Sequence, residues 1–177
     1  MPWLYQENYW AKDPILTIGG SANYQRDSVI GPNGLTDSFV GSAHVFLDFP
    51  TSEDQETTFQ AIGYRSNNGR GSRNTGYGGF ADLGVRFGNI KPYVSYEAFF
   101  GDGCPDDLAT TVCTTFQQAE TRAFKAGINY FIDRNRNHIY VEYSHNNGQV
   151  SIAPPSQVVA NVTKSQNTVL VHWNLIF

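Results

Sequence analysis

The side chains that could carry out covalent chemistry in this sequence are few, and their spacing does not bring them together. Ser144, His145 and Asn146 follow one another along the chain. In an extended strand, neighbouring side chains point to opposite faces, so this serine and histidine do not converge. The sequence contains no H-E-x-x-H, G-x-S-x-G or Cys-x-x-Cys pattern. We therefore predict no catalytic residue, no metal site, no cofactor and no enzyme, the alternative being an Asp/His arrangement across strands at a rim.

Charged and polar side chains instead recur at every second position. Asp82 and Arg86 alternate with Leu83, Val85 and Phe87, as expected for a strand with one polar and one apolar face. Arg65 is placed on the polar side because lipid would penalise it by ~2–4 kcal/mol at a bilayer midplane. The complete set of predicted lumen-lining residues is His44, Asp48, Arg65, Asp82, Arg86, Glu97, Lys125, Asn129, Glu142, His172 and Asn174.

Eight segments have the alternation and the length that would position these side chains. Each is near the ~9–11 residues of a tilted transmembrane strand. No apolar stripe at helical spacing interrupts them, so we predict an all-β chain. The segments are Ile15–Gln25, Phe39–Phe49, Thr57–Asn67, Tyr77–Phe87, Lys91–Phe100, Arg122–Ile132, His138–Asn146 and Thr168–Phe177.

The connections between the segments are predicted to alternate between long and short. The long ones are Arg26–Ser38, Gly101–Thr121 and Asn147–Asn167, whereas Asp133–Asn137 is short. Outer-membrane barrels have short periplasmic turns and longer outer loops, and an even strand number leaves both termini in the periplasm. The pattern favours an antiparallel transmembrane β-barrel. A soluble β-sandwich, which also has short alternating strands, is the rival interpretation.

The composition excludes several classes of protein. The formal net charge is −4 and there is no block of lysine or arginine, so we predict no nucleic-acid partner. No run approaches the ~20 apolar residues of a spanning helix, so a membrane form would need a closed barrel. Aromatic residues make up 14% of the chain, which suits the two interfaces of a bilayer.

The closing residues resemble a known assembly signal. Val-Leu-Val-His-Trp-Asn-Leu-Ile-Phe places Trp173, Leu175 and Phe177 on one face of the last segment. A C-terminal phenylalanine after alternating hydrophobic residues is similar to the signal by which outer-membrane proteins are recognised for barrel assembly. The resemblance implies outer-membrane lipid and the barrel-assembly machinery as partners, and a location in the outer membrane.

A second resemblance covers the penultimate hairpin. Thr121–His145, reading TRAFKAGINYFIDRNRNHIYVEYSH, looks like the corresponding hairpin of phosphate-selective porins, and weaker similarity extends over Phe39–Phe49, Tyr77–Phe100 and the closing strand. Members of that family form sixteen-stranded channels in trimers. The eight segments here therefore resemble the C-terminal half of the family, and none of its anion-binding residues is carried over.

The N-terminal residues and the cysteines complete the organisation. We expect residues 1–13 to be a tail or the remnant of a preceding strand, and residues 14–177 to form the barrel domain. Because Met1 to Asp13 is not a secretory signal, we expect a mature, re-started or truncated product. Cys104 and Cys113 lie in one long, outward connection, where a disulfide closing a ~10-residue loop would contribute roughly 2–3 kcal/mol.

Two functions remain open at this point. The first is a porin-type barrel for passive diffusion of small hydrophilic solutes or ions, with water-facing charges that set ion preference, working as a homo-oligomer or with a second barrel-forming chain. The second is a closed structural barrel whose outer loops bind a partner or ligand. In an eight-stranded barrel the interior is just wide enough to be filled by side chains, so a salt-bridged plug would favour the second.

Overall fold

In the computed structural model, the residues described are 10, 12–31, 34–68, 75–102, 119–134, 137–152 and 160–175. They form eight strands without a helix, and no helix in these ranges could cross a membrane. The strands are β1 Ile15–Gly31, β2 Gly34–Ser52, β3 Gln55–Asn67, β4 Gly76–Phe87, β5 Ile90–Gly101, β6 Ala119–Asp133, β7 Asn137–Ile152 and β8 Ala160–Leu175.

All eight strands belong to one antiparallel sheet in which each strand pairs with the next along the chain. This order confirms the prediction of an all-β chain with eight antiparallel strands. Among the residues that the structure describes, β1 and β8 are not hydrogen-bonded to each other and form the two edges of the sheet. The architecture is therefore an eight-stranded antiparallel meander.

The strands at the two edges are longer than the sequence predicts. The first two strands pair from Ile15 with Asp48 to Gly31 with Gly34, with a bulge between Gln25 and Val29. The prediction of a long loop over Arg26–Ser38 is therefore wrong, because only residues 32–33 separate β1 from β2. The paired part of these two strands ends with Gly31 opposite Gly34. The long loop predicted over Asn147–Asn167 is also wrong in its extent, because β7 continues to Ile152 and pairs with β8 from Ala160 onward.

The short connections meet at one end of the sheet. Gly88, in the turn between β4 and β5, has φ +57°, a conformation that glycine adopts without steric cost. Its amide donates to the carbonyl of Asp54 in the β2–β3 turn, 2.7 Å away. The amide of Phe131 likewise donates to Asn89 at 2.8 Å. Three hairpins are thus tied together by backbone hydrogen bonds outside the strand ladders.

The two faces of the sheet have the opposite character to those of a soluble protein. On one face, Asp48 and Glu56 have no solvent exposure, whereas on the other face Ile18 is 75% exposed and Val171 66%. Charged side chains are normally found at the surface and large apolar ones inside. We call the two faces the polar face and the apolar face. Strand alternation assigns every strand residue to one or the other.

Candidate functional site

The register of the strands places most of the predicted lumen-lining residues on the polar face. Asp82 lies opposite Gln60 on β3 and Ser95 on β5, and the same alternation carries through to β7 and β8. The predicted residues that share this face are His44, Asp48, Asp82, Arg86, Glu97, Lys125, Asn129, Glu142, His172 and, by its backbone position in β8, Asn174.

Arg65 is the exception, and its predicted position is wrong. On β3 it alternates with the buried residues Glu56, Thr58 and Gln60, so it lies on the apolar face. Its guanidinium forms a bidentate pair with the carboxylate of Asp102 just beyond the end of β5. Arg65 lies close to the end of its strand, so the penalty for an arginine in the middle of a bilayer does not apply to it.

The polar face is most tightly packed toward the short connections, a region that we call the short-turn half. Its charged members are Asp48, Glu56, Asp82, Arg86 and Lys91, and none of them is more than 6% exposed. The ammonium of Lys91 on β5 interacts electrostatically with carboxylates on β2, β3 and β4. These charges offset one another in a space from which water is excluded, where unpaired charges would be costly.

Arg86 is the centre of this half. Its Nε donates to Oε2 of Glu56 at 3.0 Å. Its other nitrogens donate to the backbone carbonyls of Gly88 and Glu53, at 3.0 and 3.2 Å. Trp10 covers the guanidinium, with the ring centroid 4.0 Å from the central carbon. All three nitrogens of the planar guanidinium thus donate hydrogen bonds, a geometry that lysine could not reproduce.

Trp10 connects the N-terminal region to the polar face. Its ring also makes an edge contact with Phe131 on β6, with centroids 5.8 Å apart. Arg134 approaches the same ring to 5.7 Å. A cavity of about 650 Å³ is lined by this tryptophan, by Arg86 and by residues of the β2–β3 turn such as Asp54. The aromatic ring therefore covers part of the buried charged cluster.

Two members of the buried cluster, Glu56 and Lys91, are missing from the predicted set. Glu56 precedes the predicted segment Thr57–Asn67, yet it belongs to β3 and lies two residues before Thr58 on the same face. Lys91 begins the predicted segment Lys91–Phe100 and lies on the same face of the strand as Tyr93. The two-residue period indicates both side chains: Lys91 shares the face of Glu97 within its predicted segment, and one further step from Thr58 toward the turn reaches Glu56.

The polar face changes character toward the long connections, in what we call the loop-side half. A cavity of about 540 Å³ lies there, lined by residues including Tyr64, Phe80, Glu97, Phe99, Thr121 and Asn146. The side chains are half-buried or exposed. Lys125 Nζ lies 3.2 Å from Oε2 of Glu97. The loop-side half is therefore an open, weakly charged space.

Glycines on the polar face make room for large side chains of neighbouring strands. A Cβ at Gly127 would lie 2.7 Å from the ring of Tyr93. That ring crosses β6, and its hydroxyl donates to Oε2 of Glu142 on β7 at 2.7 Å. Gly78 and Gly76 in β4 give similar space to Tyr64 and Phe99. The polar face is therefore packed by large side chains that cross glycines of the neighbouring strand, as well as by charge pairs.

The remaining predicted residues lie at or beyond the ends of the described ranges. Trp173 is on the apolar face, 61% exposed, and its indole nitrogen donates to the side chain of Asn137 at 2.8 Å. Leu175 ends β8. Phe177 and the predicted disulfide partners Cys104 and Cys113 lie outside the described residues. Within those residues, no group of three or more histidine, cysteine or acidic side chains could hold a metal ion.

Comparison with known proteins adds no relative. No protein-family model, curated protein sequence or solved structure matches the chain.

Proposed function

We propose that this chain is a small transmembrane β-barrel of a bacterial outer membrane, closed by its own side chains in the short-turn half and open to a ligand or partner in the loop-side half. The observation that carries the proposal is the inversion of the two faces. Buried charges such as Asp48 and Lys91 oppose exposed apolar residues such as Leu16, Ile18 and Val171. An aqueous solvent would oppose this arrangement, whereas lipid outside a polar interior stabilises it.

The dimensions of the apolar face fit a bilayer. Phe39 and Phe49, both on this face of β2, are ten residues apart. At ~3.4 Å per residue and a tilt of ~40°, this span is about 25 Å tall, the height of the apolar band of an outer-membrane barrel. Exposed Tyr77 lies toward the loop-side end of the band, and Trp173 toward the short-turn end. Aromatic residues at both ends are typical of lipid interfaces.

A bilayer would also require the two edges to be paired. An open sheet edge in hydrocarbon leaves backbone groups without hydrogen-bond partners, so β1 and β8 must find partners there. β1 runs antiparallel to β8, because an odd number of antiparallel pairings separates them. Pairing between them closes the sheet into an eight-stranded barrel, whose interior is narrow enough for side chains to fill. The density of the short-turn half fits this width.

A second candidate, a wider channel for passive diffusion, is favoured by one observation. Polar-face side chains on the edge strands, including Thr17, Asn23 and His172, are exposed. They would face water if this chain supplied part of a larger wall together with a second copy or another barrel-forming chain. The closed barrel explains more of the structure, because the fully buried Asp48 and Glu56 fit an interior filled by side chains better than a water-filled channel.

A pair of neighbouring spin labels tests the membrane assignment. Val171 and His172 are adjacent on β8 but lie on opposite faces. In a background with Cys104 and Cys113 replaced by serine, a label at Val171→Cys should collide with oxygen dissolved in lipid. A label at His172→Cys points into the filled polar interior and should collide far less with that oxygen. Equal accessibility of both labels to a water-soluble nickel complex, in protein that is soluble without detergent, would contradict the proposal.

Planar-bilayer conductance and mass separate the two candidates. A closed eight-stranded barrel should be monomeric in detergent and should produce no steady current steps in a lipid bilayer. Steady steps, together with a mass of two or more chains, would support the wider channel and overturn the closed barrel. Both measurements use the full chain, folded from the same preparation.

A further inference from the structure

The cavity in the loop-side half has two unlike walls. On one side, the rings of Tyr64 and Phe99 lie nearly parallel, 15° apart in plane with centroids separated by 6.3 Å. Phe80 lines the same region. On the other side, the lining consists of hydroxyl and amide groups from Thr121, Asn146 and neighbouring residues of β6 to β8. The cavity therefore has an aromatic wall facing a hydrogen-bonding wall.

The aromatic wall is held in place by glycines of β4. A Cβ at Gly76 would lie 2.8 Å from the tip of the Phe99 ring, and one at Gly78 would lie 2.7 Å from the Tyr64 hydroxyl. Both rings thus cross the strand between them at close range. Rings fixed in this way lose little freedom when a ligand packs against them, which favours binding.

The charge of the cavity is close to neutral. Glu97 is the acidic residue of its lining, and Lys125 Nζ lies 3.2 Å from its Oε2. Arg122, whose backbone borders the cavity, alternates onto the apolar face, where its guanidinium lies 5.5 Å from the Phe100 ring. A strongly charged ligand would therefore meet no excess of opposite charge. The donors and acceptors available are those of amides, hydroxyls and one paired carboxylate.

From this geometry we infer that the loop-side cavity binds a neutral sugar. A sugar ring offers a flat C–H face for the aromatic wall and hydroxyl groups for Asn146, Thr121 and Glu97. The volume of about 540 Å³ is in the ordinary range for a small-ligand site and accommodates one or two sugar rings. This inference rests on the proposed function, because it names the class of ligand taken by the open half of the barrel.

Saturation-transfer NMR and calorimetry with the full chain in detergent test the inference. The probes are glucose, galactose, maltose and lactose, with choline as a cationic probe. We expect saturation transfer to ring protons of at least one sugar. Transfer to choline and to none of the sugars would overturn the inference in favour of a cation site, and transfer to no probe would overturn it altogether.

Two neighbouring phenylalanines provide the matched variants. Phe99→Ala should weaken sugar binding about fivefold, on the order expected for loss of one aromatic contact. Phe100→Ala, on the apolar face against Tyr77, should leave the affinity unchanged. Tyr64→Ala is a second test of the same wall if Phe99→Ala does not fold. Equal weakening by the Phe99 and Phe100 variants would contradict the inference.

The spin-label result is independent of these measurements. If the labels at Val171 and His172 differ in their accessibility to lipid-dissolved oxygen as expected but no sugar binds, the closed barrel stands and the ligand class fails. If both labels report water, the membrane assignment fails, whatever the cavity binds.

Discussion

The two halves of the polar face are built from similar residue types but have different consequences. In the short-turn half, Arg86 and Glu56 are almost fully buried, with their side chains 2% and 0% exposed. In the loop-side half, Lys125 and Glu97 are also paired, yet their side chains are 23% and 45% exposed. The difference lies in what surrounds each pair: backbone carbonyls and Trp10 around Arg86, and the loop-side cavity beside Glu97.

Alternating charges along the strands are therefore not sufficient to define a pore. One end of the same face is a sealed electrostatic core, and the other is a cavity. A buried charge pair matters more for stability than an exposed one. When one residue of a buried pair is removed, the remaining charge has no water to stabilise it. If the chain folds into a bilayer as proposed, its free energy of unfolding in lipid vesicles should respond differently to substitutions in the two halves.

The largest effect is expected for Arg86→Met. The variant removes the ion pair to Glu56 and two hydrogen bonds to backbone carbonyls, leaving a buried acidic cluster with one cation fewer. Breaking a buried pair from one side typically costs about 3–5 kcal/mol. Urea titration of the vesicle-bound protein, followed by the shift in gel mobility between folded and unfolded forms, would measure the loss.

Arg65→Met is the matched control for this variant. Arg65 also pairs bidentately with a carboxylate, but its side chain is 46% exposed on the apolar face. Loss of an exposed pair should cost no more than about 1 kcal/mol. If both variants lost the same stability, Arg86 would not be in a sealed interior and the contrast between the halves would fail.

A smaller effect is expected for Gly127→Val. A Cβ at this position would lie 2.7 Å from the ring of Tyr93, so the ring must move and its hydrogen bond to Glu142 must break. Overpacking of this kind typically costs about 1–3 kcal/mol. The control is Gly63→Val on β3, where an added Cβ would meet no atom within 4 Å. Equal losses would show that Tyr93 is not held across β6.

Much of the fold could be predicted from the sequence because its signal has a period of two. Each of the eight predicted segments overlaps one observed strand, and the facing of residues such as Asp82, Leu83 and Val171 is confirmed by the register. A strand exchanges its entire set of side chains between faces when it shifts by one residue, so the alternation determines the facing strongly.

The ends of the strands and the composition of the buried cluster were less predictable. Strand pairing beyond Gln25 is carried by backbone hydrogen bonds across a bulge, which leave no clear mark in the hydrophobic pattern. Glu56 and Lys91 sit next to turns, where a charged residue looks like a solvated one until the covering elements are known. Trp10, which covers Arg86, lies in the N-terminal tail, where the residue pattern predicts no strand and therefore no position for the ring.

The smallest effect, and the sharpest test of the contrast, is expected for Lys125→Met. The variant breaks an ion pair of much the same length as that of Arg86, 3.2 against 3.0 Å, while keeping a long apolar side chain. Because Glu97 remains 45% exposed, water can solvate the carboxylate that loses its partner, and the cost should stay below about 1 kcal/mol. Added salt should reduce even that difference, since exposed charges are screened. A loss as large as that of Arg86→Met, unaffected by salt, would mean that the loop-side half is sealed like the other, and the cavity proposed to bind a sugar would not be open to one.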